Sequence, residues 1–150
     1  MQQYEIEHLN YVLENAAECT VLLKANGKFP LDRPGKIAAF GSGIRYTIKG
    51  GTGSGEVNTR FSYTMEQGLE HSGFEITTKK WLDAYDGVRA DAKKNFIKQL
   101  KREAKQAHTN IVIYAMGKSM LEPEHNLPLI YEGDTAIYVV SRISGEGSDR

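Results

Sequence analysis

Three short apolar runs stand out from an otherwise polar chain. Lys36-Ile37-Ala38-Ala39-Phe40, bounded by Pro34-Gly35 and Gly41, is apolar at consecutive positions, as a strand buried on both faces is. Asn110-Ile111-Val112-Ile113-Tyr114-Ala115 is β-branched and apolar, is followed closely by Gly117, and predicts a second such strand. Ala136-Ile137-Tyr138-Val139-Val140, introduced by Gly133-Asp134, predicts a third. Between the first two runs the spacing changes. Trp81, Leu82, Tyr85 and Val88 fall at helical intervals, Gly87 interrupts, and Phe96, Ile97, Leu100, Ala104 and Ala107 continue one face. Upstream, Ser62 or Thr64 suits the cap of a helix carrying Met65 and Leu69 that Gly73 ends, and Phe74-Glu75-Ile76 reads as a short strand. Residues 120–129 hold two prolines and read as loop. Before the first strand, Ile6, Leu9, Val12, Leu13 and Ala16 trace an amphipathic helix over residues 5–18. Val21-Leu22-Leu23, the Asn26-Gly27 turn and Phe29-Pro30-Leu31 then form an extended arm.

Strands alternating with helices predict an α/β layer whose strands run mostly parallel. The expected organisation is a single partial domain, with helix and arm in residues 1–35 and the sheet core in 36–150. No helix is expected after the third strand to cover the sheet. An uncapped edge or face of this kind favours self-association, so a homo-oligomer through exposed sheet surface is expected.

Composition narrows the classes. Charged residues are 25% and apolar residues 40% of the chain, which is globular rather than disordered composition. The formal net charge is +0, so no overall field draws the protein to nucleic acid or to an anionic membrane. Lys93, Lys94, Lys98, Lys101, Arg102 and Lys105 read as a solvated helix face rather than a nucleic-acid patch. No stretch approaches the ~18 apolar residues of a membrane span. The polar start of the chain and the single cysteine, Cys19, together lead to an expectation of a soluble, cytoplasmic protein.

Candidate chemistry is sparse. His8, His71, His108 and His125 are scattered, and with one cysteine no zinc motif can be written, so no metal or cofactor is expected. Cys19 has no basic neighbour and reads as a small hydrophobe. The glycines at 41, 43 and in the loop 50–55 match neither a dinucleotide fingerprint nor a Walker loop, since Tyr46 stands where a third glycine is needed. The last strand, however, empties into Ser141-Arg142-Ile143-Ser144-Gly145-Glu146-Gly147-Ser148-Asp149-Arg150. That puts the carboxylate of Glu146 at the carboxyl edge of the sheet, where open α/β folds hold ligands. The same small polar residues also suit a solvated tail, and residue types alone leave both readings open.

The residues nonetheless resemble a family. Ala16-Ala17-Glu18, Val21-Leu22-Leu23-Lys24, Phe29-Pro30-Leu31, Lys36-Ile37-Ala38-Ala39-Phe40-Gly41, the loop 50–55 with Val57-Asn58, and the closing stretch from Asp134 to Arg150 follow the order found in the α/β-sandwich domain of glycoside hydrolase family 3. These enzymes include β-glucosidases and β-xylosidases. The resemblance implies the N-terminal part of a three-layer sandwich with a mostly parallel, flavodoxin-like sheet, incomplete at this length. It also implies a carbohydrate substrate and a retaining mechanism that uses two carboxyl groups about 5 Å apart. In the family the nucleophile is an aspartate on a (β/α)8 barrel, which this chain lacks, and the glutamate of the Ser-Gly-Glu-Gly loop is the acid/base. That glutamate is Glu146 here. The implied function is a fragment of a β-glucosidase-like hydrolase, inactive alone; a non-catalytic interaction or sugar-binding domain is the alternative.

Overall fold

A computed structural model of the chain describes residues 1–27, 29–50 and 58–141. They form two compact units, Met1–Arg33 and Pro34–Arg150. In the first, helix α1 (Gln3–Asn15) passes into a 3-10 turn, Ala16–Cys19. Gln2 caps α1 in a reciprocal box with Glu5, whose carboxylate accepts from the Gln2 amide at 2.6 Å. No α1 residue is buried, and Cys19 is exposed rather than a small buried hydrophobe.

In the second unit, strand β1 (Lys36–Phe40) lies between β2 (Glu75–Ile76) and β3 (Thr135–Tyr138), all parallel, so the order is β2-β1-β3. The register pairs Ile37 with Ile76 on one side and Phe40 with Tyr138 on the other. Being central, β1 buries every residue from Ile37 to Phe40, which accounts for its unbroken apolar run. β3 instead alternates: Ile137 and Val139 pack against the core, while Tyr138 and Val140 stay 55% and 70% exposed. The core adds Ile44, Ile76, Trp81, Leu82 and Tyr85.

Helix α2 (Met65–His71) begins at Thr64, whose hydroxyl accepts from the Gln67 amide at 3.2 Å while Gln67 Oε1 accepts from the Thr64 amide at 2.9 Å. Gly73 closes it at φ +85°, a left-handed conformation that favours glycine. Helix α3 (Lys79–Gln106) follows β2 directly. It runs through Gly87 without the interruption expected there, because Trp81, Leu82 and Tyr85 anchor its start and Leu100 and Ala104 its end.

The join between β2 and α3 depends on one side chain. β2 ends too soon to pair with Ala39. The Thr78 hydroxyl takes the place of a strand residue, accepting from the Ala39 amide at 2.8 Å and donating to the Ala39 carbonyl at 2.7 Å. Both backbone groups are thereby satisfied in the core.

The run predicted as a second strand is instead a short helix, α4 (Ile111–Ala115). The Asn110 side chain caps it, its oxygen accepting from the Val112 amide at 2.8 Å, and the Tyr114 amide donates to the Asn110 carbonyl at 2.9 Å. Tyr114 then donates to Glu103 of α3 at 3.1 Å, and the Lys118 ammonium lies 3.5 Å from the centre of its ring. Local capping and packing on α3 thus override the strand propensity of Ile111, Val112 and Ile113.

Candidate functional site

The residues best placed to support chemistry gather where β1 and β3 end. β1 leaves the sheet through Gly41, at φ +90°, into a tight 3-10 turn, Ser42–Ile44. Ile44 is fully buried, and the turn is held by the Tyr46 amide donating to the Ser42 carbonyl at 2.8 Å. The Thr47 hydroxyl donates to the Gly43 carbonyl at 3.0 Å and accepts from the Met65 amide at 3.0 Å, joining the turn to the start of α2.

Arg45 leaves this turn into a set of carboxylates. It forks onto Glu66 through Nε and Nη2 at 2.8 and 3.0 Å, and its Nη1 reaches Asp83 at 2.7 Å and Asp86 at 2.6 Å. The hydrogen bonds to Glu66 do most to raise its pKa above the ordinary arginine value. A second cation, Arg89, lies over the Tyr46 ring at 4.5 Å and pairs with Glu122 at 2.6 Å. Tyr85 donates its hydroxyl to the other Glu122 oxygen. Burial alone would push the Glu122 carboxyl up, but hydrogen bonds from Tyr85, Arg89 and Ser42 outweigh it and hold it below the usual range. Burial, followed by the bond to Glu122, pushes the Tyr85 phenol up. These carboxylates are committed to arginine or tyrosine partners, so their arrangement stiffens the strand ends rather than offering a free acid or base.

Below them lies an aromatic cluster. Trp81 stacks on Tyr85 with ring centres 5.1 Å apart and meets Phe40 edge-on at 5.1 Å. His125 packs edge-on against Trp81 and Tyr85 at 5.5 and 4.9 Å, and its Nδ1 accepts from the Leu127 amide at 3.3 Å. The indole Nε1 of Trp81 is buried and finds no partner among the described residues.

Of the residues singled out from sequence, Glu146 and its neighbours Arg142 and Asp149 lie outside the described residues, as does the glycine loop from Gly51. Of the residues between β3 and Glu146, those up to Ser141 are described. The Val139 amide donates to the Phe40 carbonyl at 2.9 Å, which prolongs the β1–β3 ladder by one bond. Sequence reasoning missed the Arg45 and Glu122 networks, whose partners lie 21 to 41 residues apart and leave no local motif. Nor does the sequence mark His125 as a member of a ring cluster. Among the described residues no three His, Cys, Asp or Glu side chains are grouped so as to hold a metal ion, and no helix is long and apolar enough to cross a membrane. An open apolar groove between α3 and α4, lined by Ile97, Leu100, Ile111, Val112, Ala115 and Met116, carries no chemistry of its own.

No family model matches the chain. It is, however, 29% identical over 146 residues to Beta-glucosidase A of Butyrivibrio fibrisolvens, a match that covers 96% of this chain and 16% of that protein. It is also similar to the solved structure of beta-glucosidase 3B from Thermotoga neapolitana. The glucose complex of that protein matches with a TM-score of 0.58 and 29% identity, over 99% of this chain and 20% of that one. Its α-D-glucose complex matches with a TM-score of 0.56 and 29% identity, over 96% and 19%. The chain therefore spans a fifth or less of the length of these relatives. The likeness to β-glucosidases expected from the motifs is borne out, and the fold is an incomplete α/β sandwich of the kind they contain.

Proposed function

We propose that this β-glucosidase-like chain is part of a retaining β-glycosidase of glycoside hydrolase family 3, which removes terminal β-linked sugars and in which Glu146 is the general acid/base. The observation that carries the reading is a likeness to β-glucosidases that runs the length of the chain, which in its sequence carries Ser144-Gly145-Glu146-Gly147 after the parallel strand β3. A glutamate there serves the chemistry in two stages. As an acid it protonates the glycosidic oxygen while the nucleophile attacks the anomeric carbon; as a base it then takes a proton from the water that hydrolyses the glycosyl-enzyme. The nucleophile is supplied by a (β/α)8 barrel outside these 150 residues, so the chain alone is inactive. Its single cysteine suits a reducing compartment, and we assign the enzyme to the cytoplasm.

The test is a Glu146→Ala substitution in the full-length protein that contains this chain. Hydrolysis of phenyl β-glucosides, which need a proton on the leaving oxygen, falls in kcat/KM by roughly 10²–10⁴. Azide, which attacks the glycosyl-enzyme without needing a base, raises turnover of activated aryl glucosides. Unchanged hydrolysis of the phenyl substrate overturns the assignment.

A further inference from the structure

Two surfaces of this chain are apolar, uncovered and opposite in charge. The first is the groove between α3 and α4. Ile97, Val112 and Met116 line it and are exposed, and Leu100 beside them is buried. Residues three and four apart are neighbours on a helix, and for Ile97 these are Lys93, Lys94, Leu100 and Lys101. The apolar lining is therefore rimmed with ammonium groups. Lys98, Arg102, Lys105 and Lys118 add to the same field, against Glu103 as the carboxylate of this stretch. Lys93 and Lys101 are exposed and have no carboxylate partner among the described residues.

The second surface is α1. Ile6, Leu9 and Leu13 share one face, with Val12 at its margin, and all four are exposed. No residue of the helix is buried. From Met1 to Leu23 the chain carries Glu5, Glu7, Glu14 and Glu18 and neither lysine nor arginine.

We propose that the α3–α4 groove binds helix α1 of a second copy of this chain, and that two copies exchange the helix reciprocally. An amphipathic helix laid with its apolar face in an apolar groove is a recurring mode of recognition. Charge selects the occupant. Groove against groove sets Lys93 and Lys101 against their own kind, and α1 against α1 opposes carboxylates; α1 in the groove brings unlike charges together. Exchange in both directions gives two identical contacts about a twofold axis, so the assembly closes as a dimer. The inference is independent of the role of Glu146.

The experiment uses the full-length protein that contains this chain, stripped of exposed cysteines, Cys19 included. Copies with Leu9→Cys and copies of a different tag length with Met116→Cys are mixed and treated with a flexible bis-maleimide. The expected product joins one copy of each kind. In sedimentation velocity the protein is a dimer, and Lys93→Glu with Lys101→Glu raises its dissociation constant roughly tenfold while the far-ultraviolet dichroism is unchanged. Raising sodium chloride from about 50 to about 500 mM weakens the dimer several-fold, as attraction between unlike charges requires. A monomer at all concentrations overturns the proposal. So does a cross-link that forms within a Leu9→Cys, Met116→Cys double variant and never between mixed copies, because the helix then serves its own chain. A dimer indifferent to both charge reversal and salt overturns it as well.

Discussion

The Thr78 hydroxyl shows how much one polar atom can decide in a small core. It serves both the amide and the carbonyl of Ala39, with a side chain that is 3% exposed. Thr78→Val keeps the shape and removes both hydrogen bonds, leaving two buried backbone groups unpaired. An unpaired buried group costs about 1–3 kcal/mol, so urea denaturation of the full-length protein shows a loss of about 2–5 kcal/mol in the stability of the domain that holds Thr78. Thr78→Ser keeps the hydroxyl and loses far less. Little of this is legible from sequence, because Thr77 and Thr78 look alike on paper. Only the early end of β2 gives the second one its partner. Arg45 is the same case: its charge was visible, while Glu66, Asp83 and Asp86 become its partners only once α2 and α3 converge on the turn after β1.

Among the elements, those with signals in their own residues were legible. β1 declared itself by a continuous apolar run because it is central, and α2 by its Thr64 cap and terminal Gly73. Residues 110–115 misled because propensity reports which conformations suit a residue and not which neighbours it will have. With no strand beside them, Ile111, Val112 and Ile113 satisfy their backbone locally behind the Asn110 cap. Gly87 misled in the opposite direction. A glycine inside a helix costs up to ~1 kcal/mol relative to alanine, and α3 bears that cost because it is anchored at both ends. A Cβ added at Gly87 meets nothing within 4 Å. Gly87→Ala therefore raises the thermal midpoint of the protein, by an amount equivalent to about 0.5–1 kcal/mol, and leaves its activity unchanged; a lowered midpoint would show that the backbone there needs glycine.

For the whole molecule, the α/β class and the parallel sheet followed from alternating patterns. The candidate catalytic glutamate was legible only through a motif and its family likeness, since nothing in composition or charge marks Glu146. The apolar surface left on this chain has its own consequence. Val112, Met116 and Val140 are 70%, 74% and 70% exposed, and net charge near zero gives little repulsion to oppose contact between copies. In sedimentation velocity, the isolated 150-residue chain associates with rising concentration. Lysine at those three positions suppresses the association while the far-ultraviolet dichroism is retained; association unaffected by the three lysines would exclude these surfaces.

The central place of β1 also governs when the domain can form during synthesis. Both of its partners come later in the chain, and the larger ladder needs Tyr138, 98 residues after Phe40. At ~5–20 residues per second, Ile37 to Phe40 wait about 5–20 s on the ribosome before that ladder can close. Throughout that interval this unbroken apolar segment is without its main partner. The strand that ends as the best-covered of the three therefore begins uncovered on the side that β3 will close.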